Sequence, residues 1–208
     1  MSRRYLSTRF QSVPALEQRA LLAGNVTATF ITTNGLKDVV ITGDNSANSI
    51  EIVQNTTNVY TVKGLGTTTI NGVSGRTFKF NFNNFDDLRI TMNGGADYVA
   101  IKGNSSSQVG DLDVTDDLVI SMGSGADRLN LNFVQVKGDL DINMGIDDDK
   151  LNIKNTKLGD DGPDGELSDL VINGGPGTDS LNLFRNTIEG TSTVSAFLTP
   201  TRRDIWFF

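Results

Sequence analysis

Five short segments of the chain share one pattern, and each is followed at a fixed distance by a second pattern. Asp38-Val39-Val40-Ile41, Asp87-Leu88-Arg89-Ile90, Asp117-Leu118-Val119-Ile120, Asp139-Leu140-Asp141-Ile142 and Asp169-Leu170-Val171-Ile172 are the first elements. Ten positions after each leading Asp come Asn48-Ser49-Ile50-Glu51-Ile52, Asp97-Tyr98-Val99-Ala100-Ile101, Asp127-Arg128-Leu129-Asn130-Leu131, Asp149-Lys150-Leu151-Asn152-Ile153 and Asp179-Ser180-Leu181-Asn182-Leu183. A constant offset in five copies is an internal repeat, and repeats constrain a fold before any local reading does. Apolar residues fall two apart in every element, the period of a strand with one buried face. A strand of so few residues cannot hold itself together. Copies stacked in parallel at about 4.8 Å pair their backbones and bury continuous apolar columns.

The repeat therefore predicts an all-β fold: a single parallel β-solenoid, or β-helix, over residues 24–190, right-handed by the general preference of crossovers. The copies start at 38, 87, 117, 139 and 169, which sets coils of about 22–30 residues. The long first gap leaves residues 58–85 for a degenerate coil. Residues 102–116 and 154–168 read as inserted loops, 1–23 as an N-terminal targeting or capping segment, and 191–208 as a C-terminal cap or tail. Leu118, Ile120, Leu129, Leu131, Leu140, Ile142, Leu151 and Ile153 are expected to point inward. Among outward positions, Asn130, Asn152 and Asn182 recur in successive copies, as an amide ladder or as a solvated face that favours Asn. Phe78, Phe80, Phe82 and Phe85 have the spacing of core rather than of a sugar-binding platform.

Composition narrows the chemistry. With no Cys and no His, disulfide frameworks, thiol nucleophiles, His acid–base chemistry and most transition-metal sites are excluded, and the chain is not expected to be an enzyme. The 22 Gly, 20 Asn and 22 Thr suit a protein rich in tight turns. No run of 18 apolar residues offers a transmembrane helix. Residues 24–199 hold 12 Lys and Arg against 23 Asp and Glu, a net of 12 − 23 = −11. Nucleic acid, double-stranded above all, is not an expected partner, because phosphate binding needs a basic face that the acidic body lacks.

The Gly-rich turns carry a more specific signal. Gly174-Gly175-Pro176-Gly177-Thr178-Asp179-Ser180-Leu181-Asn182 matches the nine-residue unit of calcium-binding β-rolls of the RTX type at every defined position, and Gly123-Ser124-Gly125-Ala126-Asp127-Arg128-Leu129 matches at all but the first. The turns ending at Asp97 and at Asp149 are looser versions. The resemblance implies a calcium site along one edge with Asp97, Asp127, Asp147, Asp149 and Asp179 as ligands, chiefly between Asp127 and the Asp147/Asp149 turn. The alternative is that each Asp accepts backbone N–H bonds and caps its turn without metal. The acidic loop at 160–166 lacks the spacing of an EF-hand and reads as a solvated insertion.

At the other end, Leu16-Glu17-Gln18-Arg19-Ala20-Leu21-Leu22 resembles the LEPR-XLL motif of bacterial surface and secreted proteins, with Gln18 in place of Pro. The resemblance implies an extracellular or cell-surface bacterial protein. A short amphipathic helix capping the first coil would read the same way. Together these features lead to a noncatalytic surface module with a structural or adhesive role, stabilised by calcium, whose partners are a cell-surface polysaccharide or another surface protein. The rival is a polysaccharide-degrading β-helix enzyme, for which the outward column Tyr98, Arg128, Lys150 is the nearest candidate.

Overall fold

The computed structural model describes residues 24–33, 36–56, 59–81, 87–103, 112–159, 168–197 and 202–207. Among these the chain is all-β, with no helix. In order the strands are β1 (Asn25–Thr33), β2 (Leu36–Thr42), β3 (Ser49–Thr56), β4 (Val59–Gly64), β5 (Thr69–Ile70), β6 (Thr77–Asn81), β7 (Leu88–Thr91), β8 (Tyr98–Lys102), β9 (Leu112–Val114), β10 (Leu118–Ser121), β11 (Arg128–Asn132), β12 (Val134–Val136), β13 (Leu140–Asn143), β14 (Lys150–Lys154), β15 (Lys157–Leu158), β16 (Leu170–Asn173), β17 (Ser180–Ile188), β18 (Ser192–Ser195) and β19 (Arg202–Phe207). They form two large mixed sheets. One runs β18-β16-β13-β10-β7-β2-β1-β5, and the other runs β6-β4-β3-β8-β11-β14-β17-β15-β12-β9, with β19 beside β17.

The first elements of the repeat pair in parallel through β2, β7, β10, β13 and β16, and the second elements through β3, β8, β11, β14 and β17. Register follows the repeat: Leu118 sits beside Leu140 and Leu88, and Leu129 beside Leu151 and Val99. Because the side-chain period of a strand is two, that register turns every apolar position of the repeat to one side. The eight residues expected to point inward are all at most 2% exposed. Met92, Met122 and Met144 follow the first element in three copies and are fully buried, an unbranched side chain filling the space beneath each turn.

Two expectations are corrected. The described residues do not form the single parallel stack expected over 24–190, since the sheets are partly antiparallel: β1 pairs antiparallel with β2, and β3-β4-β6 is an antiparallel set. Within residues 59–81, β4 and β6 are thus antiparallel strands rather than a degenerate coil, while β5 pairs in parallel with β1. The sequence carried a signal for the first hairpin in Asn34-Gly35, flanked by alternating residues. The segments read as inserted loops also contribute strands, since β9, β12, β15 and the end of β17 pair in parallel and bury Leu112, Val114, Val134, Val136, Leu158 and Ile188. The chain turns into this third row through Phe133, Asn155 and Arg185, equivalent positions with φ of 55°, 50° and 54°. A single left-handed residue makes a sharp corner. Of the Phe series, Phe80 is buried against Tyr60 and Phe78 packs on the core, while Phe82 and Phe85 lie outside the described residues. Residues 1–23, with the LEPR-XLL-like motif, and the acidic loop also lie outside them.

Candidate functional site

Asp97, Asp127, Asp149 and Asp179 stand immediately before β8, β11, β14 and β17, and each is at most 4% exposed. Parallel pairing brings them one above another. Each carboxylate reaches back one copy: Asp97 Oδ1 accepts the Asn48 N–H at 2.7 Å, Asp127 Oδ1 the Asp97 N–H at 2.7 Å, Asp149 Oδ1 the Asp127 N–H at 2.8 Å, and Asp179 Oδ1 the Asp149 N–H at 2.9 Å. The result is a continuous ladder in which every side chain caps the preceding turn. Each of these four oxygens is thus held by a backbone N–H without metal, although the N–H belongs to the preceding copy and not to the turn of the Asp itself.

Such capping does not account for the other four. Oδ2 of Asp97, Asp127, Asp149 and Asp179 is buried without a hydrogen-bond partner. A buried carboxylate oxygen left unsatisfied favours the neutral form. Burial accordingly raises Asp97 to about 6, and Asp127 and Asp149 to about 7, against the opposing effect of the N–H bonds they accept and with further elevation from the neighbouring aspartates.

Asn48 occupies the same place in the first copy and shows what that place offers. Its Nδ2 donates to the Ser46 carbonyl at 2.7 Å and to Asp44 Oδ1 at 3.1 Å. A donor is satisfied there by the turn itself. In the next four copies the chain puts a carboxylate oxygen, which has a proton to donate only in its acid form.

Asp147, the fifth residue expected to bind metal, is exposed on the outside of its turn, where its Oδ2 accepts the Gly125 N–H at 3.0 Å. Asp148 Oδ1 takes the Thr178 N–H at 2.8 Å. The five predicted ligands therefore divide into a buried column and an exposed rim.

A second ladder escaped sequence reasoning, although its residues begin the repeat. Asp87, Asp117, Asp139 and Asp169 precede β7, β10, β13 and β16, and here the bonds run forward: the Asp117, Asp139, Asp169 and Thr191 N–H groups donate to them at 3.2, 2.8, 2.7 and 3.0 Å. Burial raises Asp117, whereas the Thr191 N–H lowers Asp169. Carboxylate oxygens of Asp87, Asp116 and Asp117 lie within 4.8 Å of one another. Arg89 answers part of that charge, pairing with Asp87 and, at 3.8 Å, with Asp38. The adjacent pair Asp116-Asp117 was the available signal.

On the outer face of the second sheet, the amide ladder is present. Asn152 Nδ2 donates to Asn130 Oδ1 at 2.9 Å, and Asn182 Nδ2 to Asn152 Oδ1 at 3.3 Å. Tyr98, Arg128 and Lys150, the catalytic column of the rival reading, stand beside it in register. Glu51, the acid on that face, is tied to Lys102 at 2.6 Å.

No protein-family model, curated protein or solved structure matches the chain.

Proposed function

We propose that the chain is a noncatalytic β-solenoid module of an extracellular or cell-surface protein, right-handed through its parallel part, with a structural or adhesive role and with calcium as its ordering ion. The observation that carries the calcium reading is the column of buried Oδ2 atoms. Asn at those positions would accept the N–H below and donate to the turn, as Asn48 shows for the donating half. Asp leaves an oxygen orphaned in four copies. An ionisable oxygen placed in four copies where Asn48 puts a satisfied Nδ2 donor supports a bound positive charge, and a hard cation that takes oxygen ligands fits that donor set. Asp97, Asp127, Asp149 and Asp179 would hold it, with Asp147 on the rim. The ion would neutralise Asp97, Asp127 and Asp149, which burial otherwise drives toward their protonated form. The acid-poor outer face, with Glu51 engaged by Lys102, gives the hydrolase or lyase reading less support.

Thermal melting of the full chain at pH 7.5 in millimolar calcium and in chelator tests the proposal. The expected result is a higher Tm with calcium, reaching about 2.7 kcal/mol of added stability at a hundred times the dissociation constant. Equal melting temperatures would overturn the calcium reading and leave the column as turn caps.

A further inference from the structure

The charge of the body is acidic in sequence, yet its cations are not scattered in space. Across the neighbouring strands β6, β4, β3, β8, β11, β14 and the first half of β17, the side opposite the core presents Lys79, Lys63, Lys102, Arg128, Lys150 and Lys154. All six are exposed, and Glu51 is the acid among them. These six are half of the 12 Lys and Arg in residues 24–199. Lys102 is committed to Glu51. Lys63, Lys79, Arg128, Lys150 and Lys154 form no ion pair among the described residues. The two aspartate ladders, meanwhile, sit at the turns before the strands, so strand register separates most of the two signs. The expectation that the body lacks a basic face is thereby corrected: no run of Lys or Arg marks the face in sequence, because β6, β4, β8 and β11 supply one cation each and β14 two, from strands far apart in the chain.

We infer that this face is a binding surface for an extended anionic polysaccharide carrying carboxylates on its sugars. The proposal deepens the adhesive reading given above by naming its partner. Six strands spaced about 4.8 Å apart make a strip of about 24 Å, long enough for several sugar units of a linear chain lying across the strands. The cations fall at about one per 5 Å along it. Double-stranded nucleic acid carries a charge every 1.7 Å or so, and a polymer that dense would also meet the acidic turns on either side. A polyuronate carries charge at a spacing closer to that of the strip. Between the cationic rows, Asn130, Asn152 and Asn182 offer amide groups suited to sugar hydroxyls. Tyr98, half-buried at the edge of the ladder and bonded to Asn130 at 3.3 Å, adds an aromatic face.

The test is binding of the full chain to polygalacturonate by affinity electrophoresis and calorimetry in chelator at low salt, with dextran, single-stranded DNA and anionic lipid vesicles as comparison probes. Binding should be specific to polygalacturonate and weaken with salt. The variant combining Arg128→Ala, Lys150→Ala and Lys154→Ala, all exposed positions, should lose affinity about tenfold or more while its circular dichroism is unchanged. Lys37→Ala, which removes an exposed cation of β2 in the other sheet, should bind as the parent does. No binding to polygalacturonate, equal affinity for DNA or vesicles, or full affinity in the triple variant would overturn the inference. Because the measurement is made without calcium, its outcome is independent of the melting experiment.

Discussion

The first copy of the repeat and the four that follow solve the same turn differently. Where the first copy meets the antiparallel hairpins, its capping position is Asn48, whose Nδ2 closes on its own turn while its Oδ1 is buried without a hydrogen-bond partner. Where copies stack in parallel, the position is Asp, which reaches back to the N–H of the copy before and leaves its second oxygen bare. The hairpin region is stabilised by local pairing and side-chain contacts such as Phe30 on Phe78 at 4.8 Å. The parallel region depends on every copy being present and in register. It concentrates buried polar atoms in one column and should be both more sensitive to backbone change and more responsive to its ionic surroundings.

Glycine gives the largest expected contrast. Gly145 has φ +105°, and a Cβ there would collide with the carbonyl oxygen of Gly123 one copy away. Gly66, in the turn after β4, has φ +60° and open space around it. Gly145→Ala is expected to cost about 4 kcal/mol, because neither backbone can move without breaking the stack. Gly66→Ala should cost about 1 kcal/mol, the ordinary penalty of a left-handed residue. Urea unfolding of both variants checks this. Equal costs would mean that the parallel turns are no tighter than the hairpin turn.

That difference also marks where the sequence was readable. The offset of ten located both strands of every copy, and the apolar residues at its alternating positions are buried throughout, because in a stack of identical units the pattern and the packing are the same information. Residues 59–81 alternate equally well, but alternation gives a strand's face and not its direction, so Val59-Tyr60-Thr61-Val62 could be placed in a sheet without revealing that β4 runs antiparallel. The aspartates before the second strands were legible as a set. That they are buried, and that only one oxygen of each is used, depends on stacking distances that no linear pattern encodes. The cationic face was hidden for a related reason, since its members lie far apart in the chain.

Exchanging the capping residues sharpens the comparison at intermediate cost. In chelator at pH 8, Asp149→Asn is expected to stabilise by about 1 kcal/mol, since the amide can donate where the carboxylate cannot. Asn48→Asp should destabilise by about 1–3 kcal/mol, since it places a carboxylate oxygen against the Ser46 carbonyl. The parent should also show a characteristic pH dependence. Asp97, Asp127 and Asp149 have native pKa values near 6, 7 and 7, above the ordinary 3.8. The folded chain therefore binds more protons than the unfolded one between these limits, so stability without calcium is highest at the acidic end and falls as pH rises through about 4 to 7. Asp149→Asn should flatten that slope and shrink the gain from calcium. Melts at pH 5, 6, 7 and 8 read both, and an unchanged slope in the variant would remove Asp149 from the titrating column.

The smallest expected effect lies on the outer face. The column containing Asn130, Asn152 and Asn182 reads Glu51 and Ala100 in the two earlier copies, so the amide ladder belongs to the parallel region alone. Asn152 is its centre: it donates to Asn130 and accepts from Asn182, whereas Asn182 makes the one ladder bond at 3.3 Å. Half-burial lets water replace part of each bond, which keeps the net value of one near 1 kcal/mol or below. Asn152→Ala should cost about 1 kcal/mol and Asn182→Ala about half as much. In the double variant the costs should fall short of their sum, because the bond between the two is lost only once. Strict additivity in urea unfolding would show that the three amides stand in line without supporting one another, and that the register of the copies rests on the aspartate columns and the core.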